Sequence, residues 1–229
     1  MNMKIKIGTR GSKLALIQAE YVKESLKAAF PEYEYEIVVI KTKGDIIQNM
    51  PLNQIGDKGV FVKEIEEQLL SDRIHLAVHS MKDMPAYPAQ GLVFSKLWKR
   101  ADARDVLILR EKHSFKELPQ NAVIGTGSPR RARQLKYLRS DLKITDIRGN
   151  VDTRLRKMEE QKLDGIILAA AGLKRLGIED KITCYFSTDE MIPAPAQGIL
   201  ALEIKKENTN LQAMLDALSD FDTNLAGST

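Results

Sequence analysis

The stretch IGTRGS at residues 7–12 returns as IGTGSP at residues 124–129, and these two copies decide the predicted fold. Each copy closes a strand-like run with glycine and places a serine before a helical pattern. Serine favours the N-cap of a helix, and proline favours its first turn. Each copy therefore predicts a β-strand, a tight turn and an α-helix whose free N–H groups suit an anion. Two ordinary turns without function are the alternative.

Strand-like and helical patterns alternate on both sides of each copy. The predicted strands are 4–9, 35–41, 74–79, 92–98, 106–109, 122–126, 142–147, 165–170 and 199–204. The predicted helices are 12–30, 61–70, 129–138, 151–161, 173–176 and 211–218. This alternation is typical of α/β proteins. We expect two similar lobes of mixed, mainly parallel sheet with flanking helices, and a cleft between the lobes that both anion sites face.

Composition excludes several classes of protein. The 229 residues are 43% hydrophobic and 29% charged, which fits a globular chain and not a collagen, a disordered chain or a disulfide scaffold. The single cysteine, Cys184, allows no internal disulfide and indicates a reducing compartment. No apolar run is long enough to span a membrane, and MNMKIKIGTRGS has no apolar signal-peptide core. We expect a soluble cytoplasmic protein without a membrane partner.

Positive charge is concentrated in one segment. Residues 126–157 hold ten Lys or Arg against three Asp, a net charge of +7 in a chain whose total is +4. Such an excess favours an anionic partner, although a solvated helix face is the alternative. Nucleic acid is disfavoured because the segment has no recognition motif and only Tyr137 as an aromatic residue. Phosphates and polycarboxylates stay open.

Two groups of residues could carry chemistry. Lys82 and Asp83 follow a strand, at the end where parallel sheets bind ligands, and Asp83 could move a proton or stabilise a cation. A surface ion pair is the alternative. Arg148, Arg154, Arg130 and Arg131 flank predicted helix starts, and guanidinium groups bind carboxylates bidentately. Several arginines at one site would suit a substrate with many carboxylates.

Other residues in these segments are expected to serve structure. For Arg133, Arg139 and Arg156 we prefer a helix-surface position. The three histidines, at positions 75, 79 and 113, have no ligand-like spacing with Cys184, so no metal site is predicted. The chain has no P-loop or dinucleotide-binding glycine pattern.

Eight segments in order resemble the hydroxymethylbilane synthase (porphobilinogen deaminase) family. They are IGTRGSKLALIQA (7–19), KTKGD (41–45), GDKGVFVKEIE (56–66), AVHSMKDMP (77–85), GTGSPRRARQL (125–135), DIRGNVDTRL (146–155), GIILAAAGLKRLG (165–177) and PAPAQGILALE (193–203). The resemblance implies lobes like those of type II periplasmic binding proteins. It also implies a transferase of tetrapyrrole (porphyrin, haem) biosynthesis that polymerises porphobilinogen with release of ammonia.

The resemblance assigns roles residue by residue. Asp83 matches the family's catalytic aspartate, which stabilises the cation left when ammonia departs. The positions matching those that bind the dipyrromethane cofactor or the acetate and propionate groups are Arg10, Ser12, Lys82, Thr126, Ser128, Arg130, Arg131, Arg148, Arg154 and Arg175. Lys58 matches a basic residue of a mobile loop, and Gln197 lies near the substrate in the returning segment. The partners are porphobilinogen and a linear oligopyrrole, and the family works as a monomer.

The chain also departs from the family pattern. The resemblance assigns 1–100 and 198–222 to domain 1, 103–193 to domain 2, and leaves 223–229 as a stub of a third domain. In the family that third domain carries the cofactor-attachment cysteine. Cys184 does not match that cysteine, so covalent attachment is not expected here and activity would be weak. The alternative function is a non-catalytic, two-lobed binding module for a small polycarboxylate.

Overall fold

A computed structural model describes residues 4–42, 62–111 and 114–227. The chain forms two compact units, Met1–Arg100 with Ile199–Thr229, and Ala101–Gly198. The strands are β1 (Lys4–Arg10), β2 (Glu34–Ile40), β3 (Leu76–Ser80), β4 (Leu92–Phe94), β5 (Asp105–Leu109), β6 (Val123–Gly125), β7 (Lys143–Thr145), β8 (Gly165–Ala169), β9 (Cys184–Tyr185) and β10 (Leu200–Lys205). The α-helices are α1 (Lys13–Ala29), α2 (Lys63–Leu70), α3 (Pro129–Leu138), α4 (Val151–Glu160), α5 (Ala170–Leu176), α6 (Thr209–Ala217) and α7 (Phe221–Gly227).

The two units have the same sheet topology. The first sheet has the order β2-β1-β3-β10-β4, and the second has the order β7-β6-β8-β5-β9. In the first, β1 is parallel to β2 and β3, whereas β10 is antiparallel to both β3 and β4. In the second, β6 is parallel to β7 and β8, whereas β5 is antiparallel to β8 and β9. Four strands of each sheet therefore run in one direction, which confirms the predicted mixed, mainly parallel architecture.

The repeated βα turn forms as the sequence predicts. Ser12 is the N-cap of α1 and accepts a hydrogen bond from the backbone N–H of Ala15 at 3.3 Å. Ser128 is the N-cap of α3, with Pro129 in the first helical position. Both caps satisfy an N–H group that the start of a helix would otherwise leave without a partner.

Helical spacing of apolar residues explains how α1 packs. Ala19, Val22 and Leu26 are fully buried and join the core formed by Ile7 and Leu202 of the sheet. In the second unit, neighbouring residues of β8 enter cores on opposite faces of the sheet. Ile167 lies in one core and Ile166 in the other, so both faces are covered and the strand is apolar throughout.

The structure shortens or extends several predicted elements. The predicted strand 92–98 ends at Phe94, and the helix expected over 173–176 begins earlier, at Ala170. Helix α7 follows the predicted helices and was not expected. Within the described ranges, the search for a helix both long and apolar enough to cross a membrane finds none.

A substitution at Gly165 tests how tightly the strands of the second sheet pack. A Cβ atom at Gly165 would lie 2.7 Å from the backbone oxygen of Ile108 on the neighbouring strand. We expect Gly165→Ala to lower the free energy of unfolding by about 1–3 kcal/mol, because the backbone must move to admit the methyl group. Denaturant unfolding measures this change. Gly11→Ala is the control, since its Cβ would meet only Val39, at 3.4 Å. Equal losses in the two variants would contradict the packing argument.

Candidate functional site

The carboxyl edge of the first sheet brings two predicted groups together. Arg10 is the last residue of β1, and Ser12 starts α1 directly after it. The neighbouring strand β3 leads into a short 3₁₀ turn, Met81–Asp83, in which Lys82 and Asp83 are exposed. Because β1 and β3 are parallel neighbours, both groups lie at one edge of the sheet.

Buried hydrogen bonds fix this edge. Gln18 of α1 is only 4% exposed and donates from Nε2 to Ser80 Oγ at 3.2 Å, which joins α1 to the end of β3. The N–H of Met81 donates to Ile199 O at 3.0 Å, so the first residue of the turn is held next to β10. Hydrogen bonds therefore connect the start of the turn that carries Asp83 to α1, through Ser80, and to Ile199, directly before β10.

In the second unit, predicted site residues meet around a carboxylate that sequence reasoning missed. Asp105 is fully buried at the start of β5. Its Oδ1 accepts from Arg131 Nε at 3.0 Å, from the terminal Nη2 of Arg131 at 2.7 Å and from Gln197 Nε2 at 2.9 Å. Its Oδ2 lies 2.7 Å from Nη2 of Arg130.

The electrostatics of Asp105 follow from these contacts. Burial alone would raise its pKa, but Arg131, Gln197 and Arg130 outweigh burial and hold the pKa below its usual range. Arg131 and Gln197 are 6% and 1% exposed, so their polar groups are occupied inside the protein. Arg130 keeps about a quarter of its side chain exposed and is the member of the group that can meet a ligand.

The same helix also holds the segment before Gln197. Arg130 donates from Nη1 to Ile192 O, and Gln134 donates to the same oxygen at 3.1 Å. The N–H of Ile192 in turn donates to Gln134 Oε1 at 2.7 Å. These bonds fix both backbone groups of Ile192, whose side chain is exposed beside Arg130.

The turn after β6 places two further predicted residues. Thr126 is buried, and its Oγ1 accepts a hydrogen bond from the N–H of Ser128 at 3.2 Å. Ser128 Oγ approaches the N–H of Arg131 at 3.5 Å. Gly127 occupies a crowded position, because a Cβ atom there would lie only 2.9 Å from Asp146 Oδ1. Both hydroxyl groups thus order the start of α3.

The remaining arginines lie near the ends of β7 and β8. Arg148 pairs with Asp146 at 2.8 Å and is partly exposed. Arg154 donates from Nε to Gly149 O at 2.7 Å, across the turn that starts α4. Arg175 donates to Gly198 O at 2.7 Å. The structure gives each guanidinium group a fixed direction, which favours recognition of carboxylates in defined positions.

The sequence predictions divide into clear groups. Arg130, Arg131 and Gln197 meet through Asp105. Arg148 pairs with Asp146, and Arg154 and Arg175 donate to the backbone oxygens of Gly149 and Gly198. Lys58 lies outside the described residues. Asp105 could have been found from sequence, because an acid that opens the apolar run DVLIL must have a buried partner.

Surface positions were expected for three arginines. Arg133 and Arg156 are exposed on α3 and α4, as expected, and Arg156 pairs with Glu160 on the same helix. Arg139 is only partly exposed at the C-cap of α3 and forms two hydrogen bonds with the Asp141 carboxylate. Among the residues in the described ranges, no group of three or more His, Cys, Asp or Glu side chains could hold a metal ion.

Cys184 lies on β9 and is partly buried. Burial raises the pKa of its thiol, and Glu190 raises it further. A raised pKa reduces the thiolate fraction of this cysteine and therefore its nucleophilicity at neutral pH.

Comparison with known proteins gives one family. Residues 5–213 match the family model described as "Porphobilinogen deaminase, dipyromethane cofactor binding domain". A porphobilinogen deaminase of Lachnospira eligens is 60% identical over 95% of this chain and 75% of its own length. Another, from Clostridioides difficile, is 54% identical over 97% of this chain and 74% of its own length.

Solved structures support the fold. A VFT2 domain of Bordetella pertussis BvgS with two substitutions matches with a TM-score of 0.52 and 13% identity, over 99% of this chain and 90% of that one. The probable amino-acid ABC transporter extracellular-binding protein of Bacillus subtilis matches with a TM-score of 0.56 and 10% identity, over 95% and 90%. At these identities the matches show a two-lobed, periplasmic-binding-protein-like fold and nothing about ligands.

Asp105 makes a pH-dependent contribution to stability. Because folding lowers its pKa, this contribution is present above the unfolded value and is lost as pH falls through the folded one. We expect Asp105→Asn to lower the free energy of unfolding by about 3 kcal/mol at pH 7, since it leaves Arg131 buried without its counter-charge. Unfolding curves over a pH series should show that the difference in free energy of unfolding between the parent and Asp105→Asn becomes smaller in acid.

Asp146→Asn is the control for Asp105→Asn. Asp146 also pairs with an arginine, but 57% of its side chain is exposed. Its loss should be much smaller, because solvent screens an exposed pair. A gap for Asp105→Asn that stays constant from pH 7 to strong acid would refute the assignment.

Proposed function

Because the chain belongs to the porphobilinogen deaminase family, we propose that it joins porphobilinogen units head to tail, with release of ammonia, to form hydroxymethylbilane. The observation that carries the proposal is the position of Asp83. Its carboxylate is exposed on a turn at the carboxyl edge of the first sheet, and the neighbouring strand β1 ends there with Arg10 and leads to Ser12 at the start of α1. At this edge a carboxylate could stabilise a cationic intermediate, and the anion-binding groups could bind the carboxylates of the growing polyanionic chain.

The residues present fit the family's dipyrromethane cofactor. That group has two pyrroles, each with an acetate and a propionate, and needs hydrogen-bond donors and cations. From the family resemblance, the donors proposed for its carboxylates are Arg10, Ser12 and Lys82 in the first unit, and Thr126, Ser128, Arg130, Arg148, Arg154 and Arg175 in the second. When bound, the cofactor supplies the pyrrole carbon from which the chain grows.

Asp83 is the proposed catalytic residue. Loss of ammonia from porphobilinogen leaves positive charge on the pyrrole, and a nearby carboxylate stabilises that charge. The same carboxylate can accept the proton released when the new bond has formed. The hydrogen bonds of Gln18 and Met81 hold the turn, which lowers the cost of orienting the carboxylate.

Arg131 and Gln197 are proposed to act through Arg130. Both are buried against Asp105, and Asp105 also holds the guanidinium group of Arg130. We propose that this group orients Arg130 toward a carboxylate of the chain. Lys58 is kept as a proposed basic residue of the site from the family resemblance alone.

Further properties belong to this proposal. We propose that the two compact units correspond to the family's first two domains and that Cys184 is not the attachment cysteine. Residues 223–229 were expected to belong to a third domain, but they fall within the first compact unit, where Asn224 accepts a hydrogen bond from the N–H of Leu97. We also propose a cytoplasmic monomer that binds neither nucleic acid nor membrane; a single cysteine fits a reducing compartment. A binding module without catalysis is not favoured, because relatives more than half identical are named deaminases.

Asp83→Asn tests the catalytic role. We expect an unchanged melting temperature and a fall in porphobilinogen consumption of about 100-fold or more, the size of a lost acid–base group. Porphobilinogen disappearance and circular dichroism measure the two effects. Asp189→Asn, an equally exposed carboxylate of the second unit, should leave consumption unchanged. Near-normal consumption by Asp83→Asn would refute the role.

Arg148→Ala tests recognition of the chain. We expect the affinity for a linear oligopyrrole to fall about tenfold or more, because a charge-assisted hydrogen bond is lost. The melting temperature should change little, since the pair with Asp146 is partly exposed. Absorbance titration measures the affinity. Arg156→Ala removes a surface arginine paired with Glu160 and should not weaken binding. A lower melting temperature with unchanged affinity would make Arg148 structural.

A further inference from the structure

A ring of polar contacts holds the last turn of α5, entirely within the second unit. Lys174 and Arg175 are neighbours on this helix, and Lys174 Nζ lies 3.0 Å from Asp102 Oδ2. The oxygen of Gly198 accepts from Arg175 Nη2 at 2.7 Å and from the N–H of Ala101 at 3.2 Å. Because Ala101 and Asp102 are also neighbours, these contacts close a ring between the helix, the start of the unit and Gly198.

Arg104 fixes the carboxylate of Asp102 in this ring. Asp102 Oδ1 accepts from the backbone N–H of Arg104 at 3.1 Å and from its Nε at 3.0 Å. Asp102 Oδ2 accepts from Nη2 of Arg104 at 2.7 Å. The oxygen of Arg104 in turn accepts from the N–H of Ala170, the first residue of α5, at 3.0 Å. Residues 102–104 are therefore joined to both ends of the helix.

The ring of Tyr185 supports the two cations that face Asp102. It lies 4.3 Å from Arg104 Cζ and 5.7 Å from Lys174 Nζ, measured to the ring centroid. Cations at such distances are attracted to the face of an aromatic ring. Tyr185 belongs to β9 and is paired with Val106 of β5, so it connects both cations to the sheet.

Helix α5 depends on outside contacts for its direction. It has only seven residues, and isolated helices of that length are not stable in water. Ala170 and Leu173 are buried and hold the inner face of the helix in the core. Arg175 lies in the last turn and is only partly buried. The position of its guanidinium group therefore depends on the contacts of that turn.

The charges in the ring are stable, but they are not deeply buried. Hydrogen bonds from Arg104 and Lys174 hold the pKa of the Asp102 carboxyl well below its usual range, and Asp102 raises the pKa of Lys174. The Asp102 side chain is 13% exposed, whereas those of Arg104 and Lys174 are 41% and 40% exposed. Solvent screens such pairs, and they add little to stability. Loss of the pair should therefore change the position of nearby groups more than the stability of the unit.

We propose that Asp102 is a positioning residue for Arg175. By holding Lys174, the carboxylate fixes the last turn of α5 against residues 101–104, and this places the guanidinium group of Arg175 on the oxygen of Gly198. A guanidinium group held in one plane can meet a carboxylate bidentately with little further loss of freedom. The two neighbouring cations thus have different tasks. Lys174 is occupied by Asp102, whereas Arg175 is assigned to a carboxylate of the oligopyrrole, an assignment that rests on the proposed function.

Nuclear magnetic resonance of the whole chain tests the positioning without a ligand. The Nε–H resonance of Arg175 and the hydrogen exchange of the Ala101 amide report the two donors that share Gly198 O. In Asp102→Asn the resonance should shift and the exchange should become about threefold faster or more, the size of a weakened hydrogen bond. Lys174→Met should have the same effects, because it breaks the same contact from the helix. Asp180→Asn, an exposed acid of the same unit, should leave both unchanged.

Two results would overturn the positioning. It fails if the Arg175 resonance and the Ala101 exchange stay as in the parent in both variants. It also fails if the effects of Asp102→Asn and Lys174→Met add in the double variant, because changes on one route should not add. Lys174 is exposed, so Lys174→Met decides the matter even if Asp102→Asn does not fold.

A binding measurement separates positioning from a merely structural role. Absorbance titration with a linear oligopyrrole should show that Asp102→Asn weakens binding by about threefold to tenfold, the size of one misplaced hydrogen bond. In an Arg175→Ala background the same substitution should cause no further loss. Equal losses in the two backgrounds would refute positioning through Arg175. An Arg175→Ala variant that binds as tightly as the parent would refute the proposed function of Arg175 alone, because the resonance measurements still decide how its side chain is positioned.

Discussion

The second unit depends on the buried carboxylate of Asp105. This one group accepts bonds from α3 and from the segment that ends at Gly198, and so joins both to β5. A charge in this position is tolerated only because Arg131 and Gln197 surround it. In return, Asp105 fixes Arg130, the partly exposed member of the group. The partly exposed Arg130 is thus oriented by a carboxylate whose other partners, Arg131 and Gln197, are buried.

This arrangement changes how the basic segment should be understood. The segment, residues 126–157, has a net charge of +7, but not all of this charge is available to a ligand. Acids inside and outside the segment pair with several of its arginines. What the segment offers for recognition is a set of oriented groups. These are guanidinium groups held by Asp105, Asp146 and the oxygen of Gly149, and helix starts capped by Ser128 and Asn150. Donors that are already oriented lose little entropy when a carboxylate binds. Geometry therefore supplies more of the proposed specificity than total charge does.

Features that depend on residues close together in the sequence could be predicted. Features that depend on contacts between distant residues could not. The two βα turns were predicted because their caps depend on residues three positions apart. The strand predicted over 92–98 was too long because, after a bond from Ser95 to Leu202, the chain turns to polar groups of Asp216 and Asn224. Asp105 has partners 26 and 92 positions away, which no local pattern reveals. The place of Asp83 after a predicted strand made it a candidate, but only the family resemblance favoured a catalytic role over a surface ion pair.

The two units have the same sheet order and bury their acids on equivalent strands. Glu203 lies on β10 and Asp105 on β5, the antiparallel fourth strand of each sheet. Asp105 is opposite the last residue of β8 and faces arginines, which stay charged at any ordinary pH. Glu203 is opposite Ala77, deeper in its sheet, and lies 3.3 Å from the imidazole of His79. The same architectural position therefore holds a buried acid in both units, and this acid faces arginines in the second unit and a histidine in the unit that carries Asp83.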